Sequence, residues 1–358
     1  MKNTVYLLTG ASGYLGINIT RTLINQNKAV RALVLKDDPV NDPAVLTEAK
    51  IVYGDITNPY SLEEFFSVPD NTETIVIHCA DMVTDSPELS EKLYLVNVMG
   101  TRNIINACIK YRVKKLVYIS STDAIPELPH GEIIREIDSF HPELVVGGYG
   151  QTKAMATQLV LDAVKEYNLD ASIVFPGRIF GPNDHGGYFT KFFLDCINKK
   201  IPAGICGSFS PVDVRDLAEG VLACAEKGRR GEGYIMSNNA VSMRELFYLI
   251  RENTGAPQVK HIIPAFFARV IIVISSFFGF SAKKSSLLAG FAVYNITRNN
   301  VFSSEKALLE LGFKVRPYKI SIRDIALKLH NSGQICIIDE AAYNLDNLNY
   351  ILNLSPGC

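Results

Sequence analysis

The sequence predicts an α/β fold: a doubly wound parallel sheet with a smaller, mainly helical lobe. Three observations point to it. The first half of the chain alternates short apolar runs with helix-length patterns. A glycine-rich turn, Gly10-Ala-Ser-Gly13-Tyr-Leu-Gly16, stands between the first apolar run and the first helical pattern. Past Pro176 strand signals become sparse, and Gly and Pro punctuate mostly helical segments.

Each element follows from its pattern. Val5 to Thr9 is a short apolar run, and Gly13 to Asn27 reads as the helix behind it. Val30 to Leu35, Lys50 to Tyr53 and Thr74 to His78 are the next strands. Leu89 to Tyr111 reads as one long helix, followed by a strand at Lys115 to Ile119. Tyr149 to Tyr167 is helical, with Ala154, Leu159, Val160 and Val164 for a buried face, and Ala171 to Phe175 closes the series. Such alternation predicts parallel strands covered by helices on both faces, joined by right-handed crossovers. Residues 1–176 are read as the sheet domain and 177–330 as the lobe, with some segments returning to the sheet. Residues 331–358 are read as a tail of unknown role.

With 47% hydrophobic and 20% charged residues, the 358-residue chain reads as globular, long enough for a large core. A net charge of −1 without a Lys/Arg block offers no footprint for nucleic acid. Seven scattered cysteines without a CxxC argue against a disulfide framework or a zinc site, and suit a reducing cytoplasm. The N-terminus runs straight into a strand, so no signal peptide is expected. Ile262 to Phe280 is very apolar but carries Pro264 and Arg269. It is read as a buried or substrate-covering helix, with peripheral membrane contact as the alternative and a true span disfavoured by length.

Gly10, Gly13 and Gly16 allow a tight turn whose bare backbone meets a pyrophosphate at the N-terminus of a helix. The spacing is GxxGxxG, not GxGxxG. At the end of the second strand the first charge is Lys36, which leans the reading to NADP; Asp37 is the argument for NAD. Asp55, after the third strand, is placed to accept from an adenine amino group or to serve as a plain turn aspartate. Tyr149 and Lys153 lie one helical turn apart, on one face. An ammonium beside a phenol favours the phenolate, lowering a pKa that starts near ~10 and giving an acid/base usable near neutrality.

These motifs, with His78-Cys79-Ala80, Val96-Asn97-Val98-Met99-Gly100-Thr101, Tyr118-Ile-Ser-Ser-Thr122, Phe175 to Pro182 and Val212 to Ala218, resemble the extended short-chain dehydrogenase/reductase family. The resemblance covers roughly residues 3–330 and implies a Rossmann-type fold, an NAD(P) cofactor and a small-molecule substrate. It implies Tyr149 as proton donor or acceptor, Lys153 on the nicotinamide ribose and Ser121 on the substrate oxygen. It also implies cofactor contacts from Gly10, Ser12, Gly13, Tyr14, Leu15, Gly16, Lys36, Asp55, Ile56, Cys79, Ala80, Asn97, Pro176 and Ile179. Ser120 and Thr122 alternate with Ser121 and point the other way. Asn97 has a structural bond as its alternative role. His78, ending an apolar strand, reads as a core histidine, and His185 as a solvated loop residue. Pairing through the helices 89–111 and 149–167 is a further implication of the resemblance.

Within the family, dehydratases carry Thr-Asp-Glu where this chain has Ser121-Thr122-Asp123, so the acid position holds Thr122. Epimerases carry an aromatic–Asn pair where this chain has Phe175-Pro176-Gly177-Arg178. The latter looks more like the dihydroflavonol-reductase and 3β-hydroxysteroid-dehydrogenase branch. The expectation is therefore hydride transfer to or from an apolar, steroid-like or flavonoid-like carbonyl or alcohol. A sugar-nucleotide epimerase, with Arg178 and Arg215 on a diphosphate, is the runner-up. A redox sensor and a scaffold docking through the tail are readings from other classes.

Overall fold

The computed structural model describes residues 3–38, 43–184, 187–268, 270 and 283–335. The elements of the first half are β1 (Asn3–Thr9), α1 (Tyr14–Asn25), β2 (Ala29–Val34), α2 (Pro43–Leu46), β3 (Lys50–Tyr53), α3 (Glu63–Phe66), β4 (Thr72–His78), α4 (Glu91–Tyr94), α5 (Thr101–Lys110), β5 (Lys115–Ile119), α6 (Gly148–Tyr167) and β6 (Ala171–Pro176). Then come β7 (Arg178–Phe180), α7 (Tyr188–Ile197), β8 (Gly204–Ile205), β9 (Ser208–Phe209), β10 (Pro211–Asp213), α8 (Val214–Lys227), β11 (Gly233–Met236), β12 (Val241–Ser242), α9 (Met243–Thr254), β13 (Ile262–Ile263), α10 (Lys283–Thr297) and α11 (Tyr318–Asn331).

Seven strands form one parallel sheet in the order β11-β6-β5-β4-β1-β2-β3. All six strands expected in the first half are in it. The order reverses between β1 and β4, and a crevice opens there beyond the strand ends.

Side chains alternate between two apolar layers. Leu7, Val76 and Leu116 join one layer, with Ile104 of α5 and Val160 of α6. Leu8, Ile77 and Val117 join the other, with Ile19 of α1 and Val221 of α8. Burial on both faces explains why these strands read as continuous apolar runs. A third core holds the lobe, with Phe193, Leu246, Phe247, Ile325 and Leu329 of α7, α9 and α11 packed together.

The helix expected at 89–111 is not uniform. A π-helical segment, Leu95–Gly100, lies between α4 and α5. Ile262–Ile263 is also not helical but pairs with β8, because its backbone meets an open strand edge. Arg269 and residues 271–280 of that apolar segment, and residues 336–358 of the tail, lie outside the described residues. Among the described residues no helix is long and apolar enough to cross a membrane.

Candidate active site

The ends of β1 and β4 meet at the crevice. Gly10 has φ +67°, and a Cβ there would fall 2.7 Å from the Ala80 nitrogen. A Cβ on Gly16 would fall 2.1 Å from the Gly10 carbonyl oxygen. Bare backbone is thus required at both positions, as a phosphate cradle demands. Gly13 caps α1 without a side chain, which leaves the first-turn N–H groups of the helix to an anion. The residues present fit a dinucleotide. Leu15 is buried beside the turn, and the Tyr14 hydroxyl donates to the Pro182 carbonyl at 3.3 Å. Ser12 is buried and donates to Asp38 Oδ2 at 2.5 Å. That carboxylate lies two residues beyond the exposed Lys36.

Asp55 Oδ1 accepts from the Thr57 N–H and hydroxyl, both at 2.8 Å, so this oxygen serves its own turn. The Ile56 side chain is buried and packs on Gly100. Cys79 and Ala80 line the end of β4, half-buried; Pro176 is buried at the end of β6, and Ile179 is half-buried in β7.

His78 is a core histidine. Its Nδ1 lies 2.7 Å from Thr9 Oγ1 and its Nε2 3.0 Å from Thr101 Oγ1. Thr101 uses its one hydroxyl proton on the Asn97 carbonyl, at 2.7 Å. Nε2 must therefore donate to Thr101, and Nδ1 accepts from Thr9. Burial, with Lys153 nearby, pushes the imidazole pKa down to about 3. The ring is neutral and structural.

The π-helical segment carries Asn97 inward. Its Oδ1 accepts from the Met82 N–H at 2.7 Å, and its Nδ2 donates to the Met82 carbonyl and to Thr152 Oγ1, both at 3.0 Å. These bonds are the structural role given as the alternative for Asn97: the side chain holds the strand-end loop that carries Asp81.

Asp81 was missed in the sequence. Its Oδ2 accepts from the Tyr149 hydroxyl at 3.0 Å and from Lys153 Nζ at 3.2 Å. Lys153, 2% exposed, also donates to the Ile119 carbonyl at 2.6 Å. Burial raises the Tyr149 pKa, and the charges of Asp81 and Asp123 raise it further. The pKa therefore stands above its ordinary value and not below it as expected, because burial and then Asp81 outweigh the nearby Lys153. Burial works against the Lys153 ammonium, but Tyr118 and Asp81 outweigh it and its pKa is raised. The signal available in the sequence was an acidic residue directly after His78-Cys79-Ala80.

At the end of β5, Ser120 turns into the core and bonds Thr157 Oγ1 at 2.7 Å, while Ser121 is half-buried. Ser121 Oγ accepts from the Asp123 N–H at 3.1 Å, so its own proton is free to donate. Thr122 is buried, and Asp123 pairs with Arg298 at 3.2 Å. Arg215 is held by Asp213 at 2.7 Å and Asp324 at 2.8 Å. Among the described residues no cluster of His, Cys, Asp and Glu is arranged to hold a metal ion.

Residues 6–238 match the model of the NAD dependent epimerase/dehydratase family. A putative dihydroflavonol 4-reductase of Synechocystis is 27% identical, the match covering 92% of this chain and 96% of that protein. A protein of Methylococcus capsulatus called sterol demethylase protein B is 29% identical over 72% of this chain and 77% of its own length. The crystal structure of gox2253 superposes with a TM-score of 0.80 at 27% identity, covering 94% of this chain and all of that one (100%).

Proposed function

Since the chain belongs to the NAD dependent epimerase/dehydratase family, we propose that it transfers hydride between a nicotinamide and an apolar carbonyl or alcohol, steroid-like or flavonoid-like. It is an NAD(P)-dependent dehydrogenase/reductase. The reductase and sterol names of its relatives support the substrate class. The observation that carries the reading is the Tyr149–Asp81–Lys153 network at the strand ends.

When bound, the nicotinamide supplies the hydride acceptor or donor. The chain's own residues handle the oxygen and its proton. In reduction Tyr149 gives its hydroxyl proton to the carbonyl oxygen, and in oxidation it takes the alcohol proton. Ser121 donates to the same oxygen as charge develops there. Lys153, anchored on the Ile119 carbonyl, keeps a positive charge beside the phenol. Asp81 reaches solvent, its side chain 23% exposed, and offers Tyr149 a route for its proton. NADP is the preferred form, supported by Lys36, which is exposed and has no side-chain partner among the described residues. The Asp38 carboxylate on Ser12 is the counterweight.

The epimerase reading loses one of its two cations, because Arg215 is neutralised by Asp213 and Asp324. The dehydratase reading lacks its acid. Homodimerisation is proposed through the helical faces around 89–111 and 149–167, where Leu89, Tyr94 and Leu95 are exposed. Peripheral membrane contact has support in the exposed Phe266 and Phe267.

The test is turnover of apolar ketones with NADPH and NADH by wild type and Tyr149→Phe, with UDP-sugars assayed in parallel. Loss of roughly 10²- to 10⁴-fold in kcat is expected, with cofactor binding retained. Undiminished turnover in Tyr149→Phe, or sugar epimerisation in place of ketone turnover, would sink the reading.

A further inference from the structure

A cavity of about 380 Å³ lies between the strand-end loops and the lobe, within the size range of small-ligand sites. Its walls are apolar and largely aromatic, with Phe189, Phe209, Leu246 and Phe291 among them. Phe189 and Phe209 pack with ring centroids 5.4 Å apart. The cavity borders the reacting groups. Phe291 lies so close under Gly147 that a Cβ there would fall 2.5 Å from its ring, and Gly147 precedes the first turn of α6, which carries Tyr149. Arg178, on the lining, opens β7 two residues after Pro176 ends β6.

Arg178 is the unusual member of this wall. It is half-buried, and its backbone N–H is taken by the Ser210 carbonyl at 2.8 Å. Its guanidinium has no hydrogen-bond or ion-pair partner among the described residues. Other partly or fully buried arginines find acceptors: Arg215 in Asp213 and Asp324, Arg298 in Asp123, Arg316 in Asp216, and Arg31 in the carbonyls of Glu64, Phe65 and Ser67. The other charge on the lining, Asp85, is exposed and forms no ion pair with Arg178. A planar fork of donors on an apolar wall is matched by a carboxylate or a phosphate. Aromatic walls and one cation together describe an apolar body carrying one anionic group.

We propose that the substrate is an apolar carbonyl or alcohol bearing a single anionic group, carboxylate or phosphate, and that Arg178 receives it. The inference rests on the hydride-transfer reading and narrows its substrate class. It adds no chemical step: the anion orients the molecule, and Tyr149 still handles the proton of the reacting oxygen.

The experiment uses the full chain loaded with cofactor and matched apolar ketones. Each is supplied as the free acid, its neutral methyl ester and a phosphate monoester of the same body. Kinetics and equilibrium titration are run on wild type, Arg178→Gln and Arg178→Lys. Wild type should prefer an anionic member by roughly 10- to 100-fold in kcat/KM, mostly through KM, as a charge-assisted bond implies. Arg178→Gln should abolish that preference and Arg178→Lys should keep part of it. Whichever of acid or phosphate ester is favoured identifies the anion. Equal use of ester and acid by wild type, or a preference that survives Arg178→Gln, overturns the proposal while leaving hydride transfer standing. If no ketone is turned over, hydride transfer to ketones fails, and the titrations still decide on the anion site. Tighter binding of an anionic member than of the ester, lost in Arg178→Gln, supports it; equal binding overturns it.

Discussion

The Tyr149 hydroxyl and the Lys153 ammonium share one carboxylate oxygen of Asp81. That arrangement sets the protonation state of the phenol. With its pKa raised by burial and by Asp81, Tyr149 stays protonated across the neutral range and is ready as an acid for reduction. Oxidation needs the deprotonated form, so its rate should climb with pH. Removing the Asp81 charge takes away a cause of the raised pKa. Asp81→Asn should therefore move the alkaline limb of kcat/KM for oxidation to lower pH, and reduction should fade at a lower pH than in wild type. pH–rate profiles in both directions check this. An unmoved limb would mean that Asp81 does not face the phenol during turnover. The sequence placed Tyr149 and Lys153 together, but it did not show their sharing of Asp81, which lies 68 residues from Tyr149. Spacing shows partners on one helix; it does not show a carboxylate delivered by another strand.

At the scale of elements, the glycine turn was legible because its demands are local. The three glycines are nonetheless unequal. Gly16 cannot accept a Cβ, which would fall 2.1 Å from backbone that has no room to yield, whereas at Gly13 the nearest atom would be 3.3 Å away. Gly16→Ala should cost about 1–3 kcal/mol or more through overpacking and should weaken cofactor binding sharply. Gly13→Ala should do far less of either. Thermal melts and cofactor titration separate the two; equal losses would show that the close approach at Gly16 is not what matters. The π-helical segment Leu95–Gly100 was not legible, because apolar spacing carries the same helical period through it. Its consequence is local: Asn97 reaches Met82, and Thr101 reaches both His78 and the Asn97 carbonyl. The wiring from β4 to the Asp81 loop depends on that turn.

At the scale of the whole molecule, the sheet buries both faces, and its strand ends point toward the lobe cavity. The proposed homodimer would cover the face bearing Leu95, which is 45% exposed. The proposed homodimer predicts a mass of about twice 39.5 kDa by light scattering, and Leu95→Glu should shift it toward monomer. A monomeric wild type at micromolar concentration would end that proposal. The six strands of the first half, the glycine turn and the Tyr149–Lys153 pair were determined by the sequence alone. Each is written in a short period or spacing, which backbone geometry converts directly into structure. Tertiary structure alone decided which charges find partners. Arg215 and Arg178 were equivalent candidates along the chain. Asp213 stands two residues from the first, folding brought Asp324 to it from 109 residues away, and the second was left on an aromatic wall, since long-range charge pairing depends on distances through space that spacing along the chain does not encode.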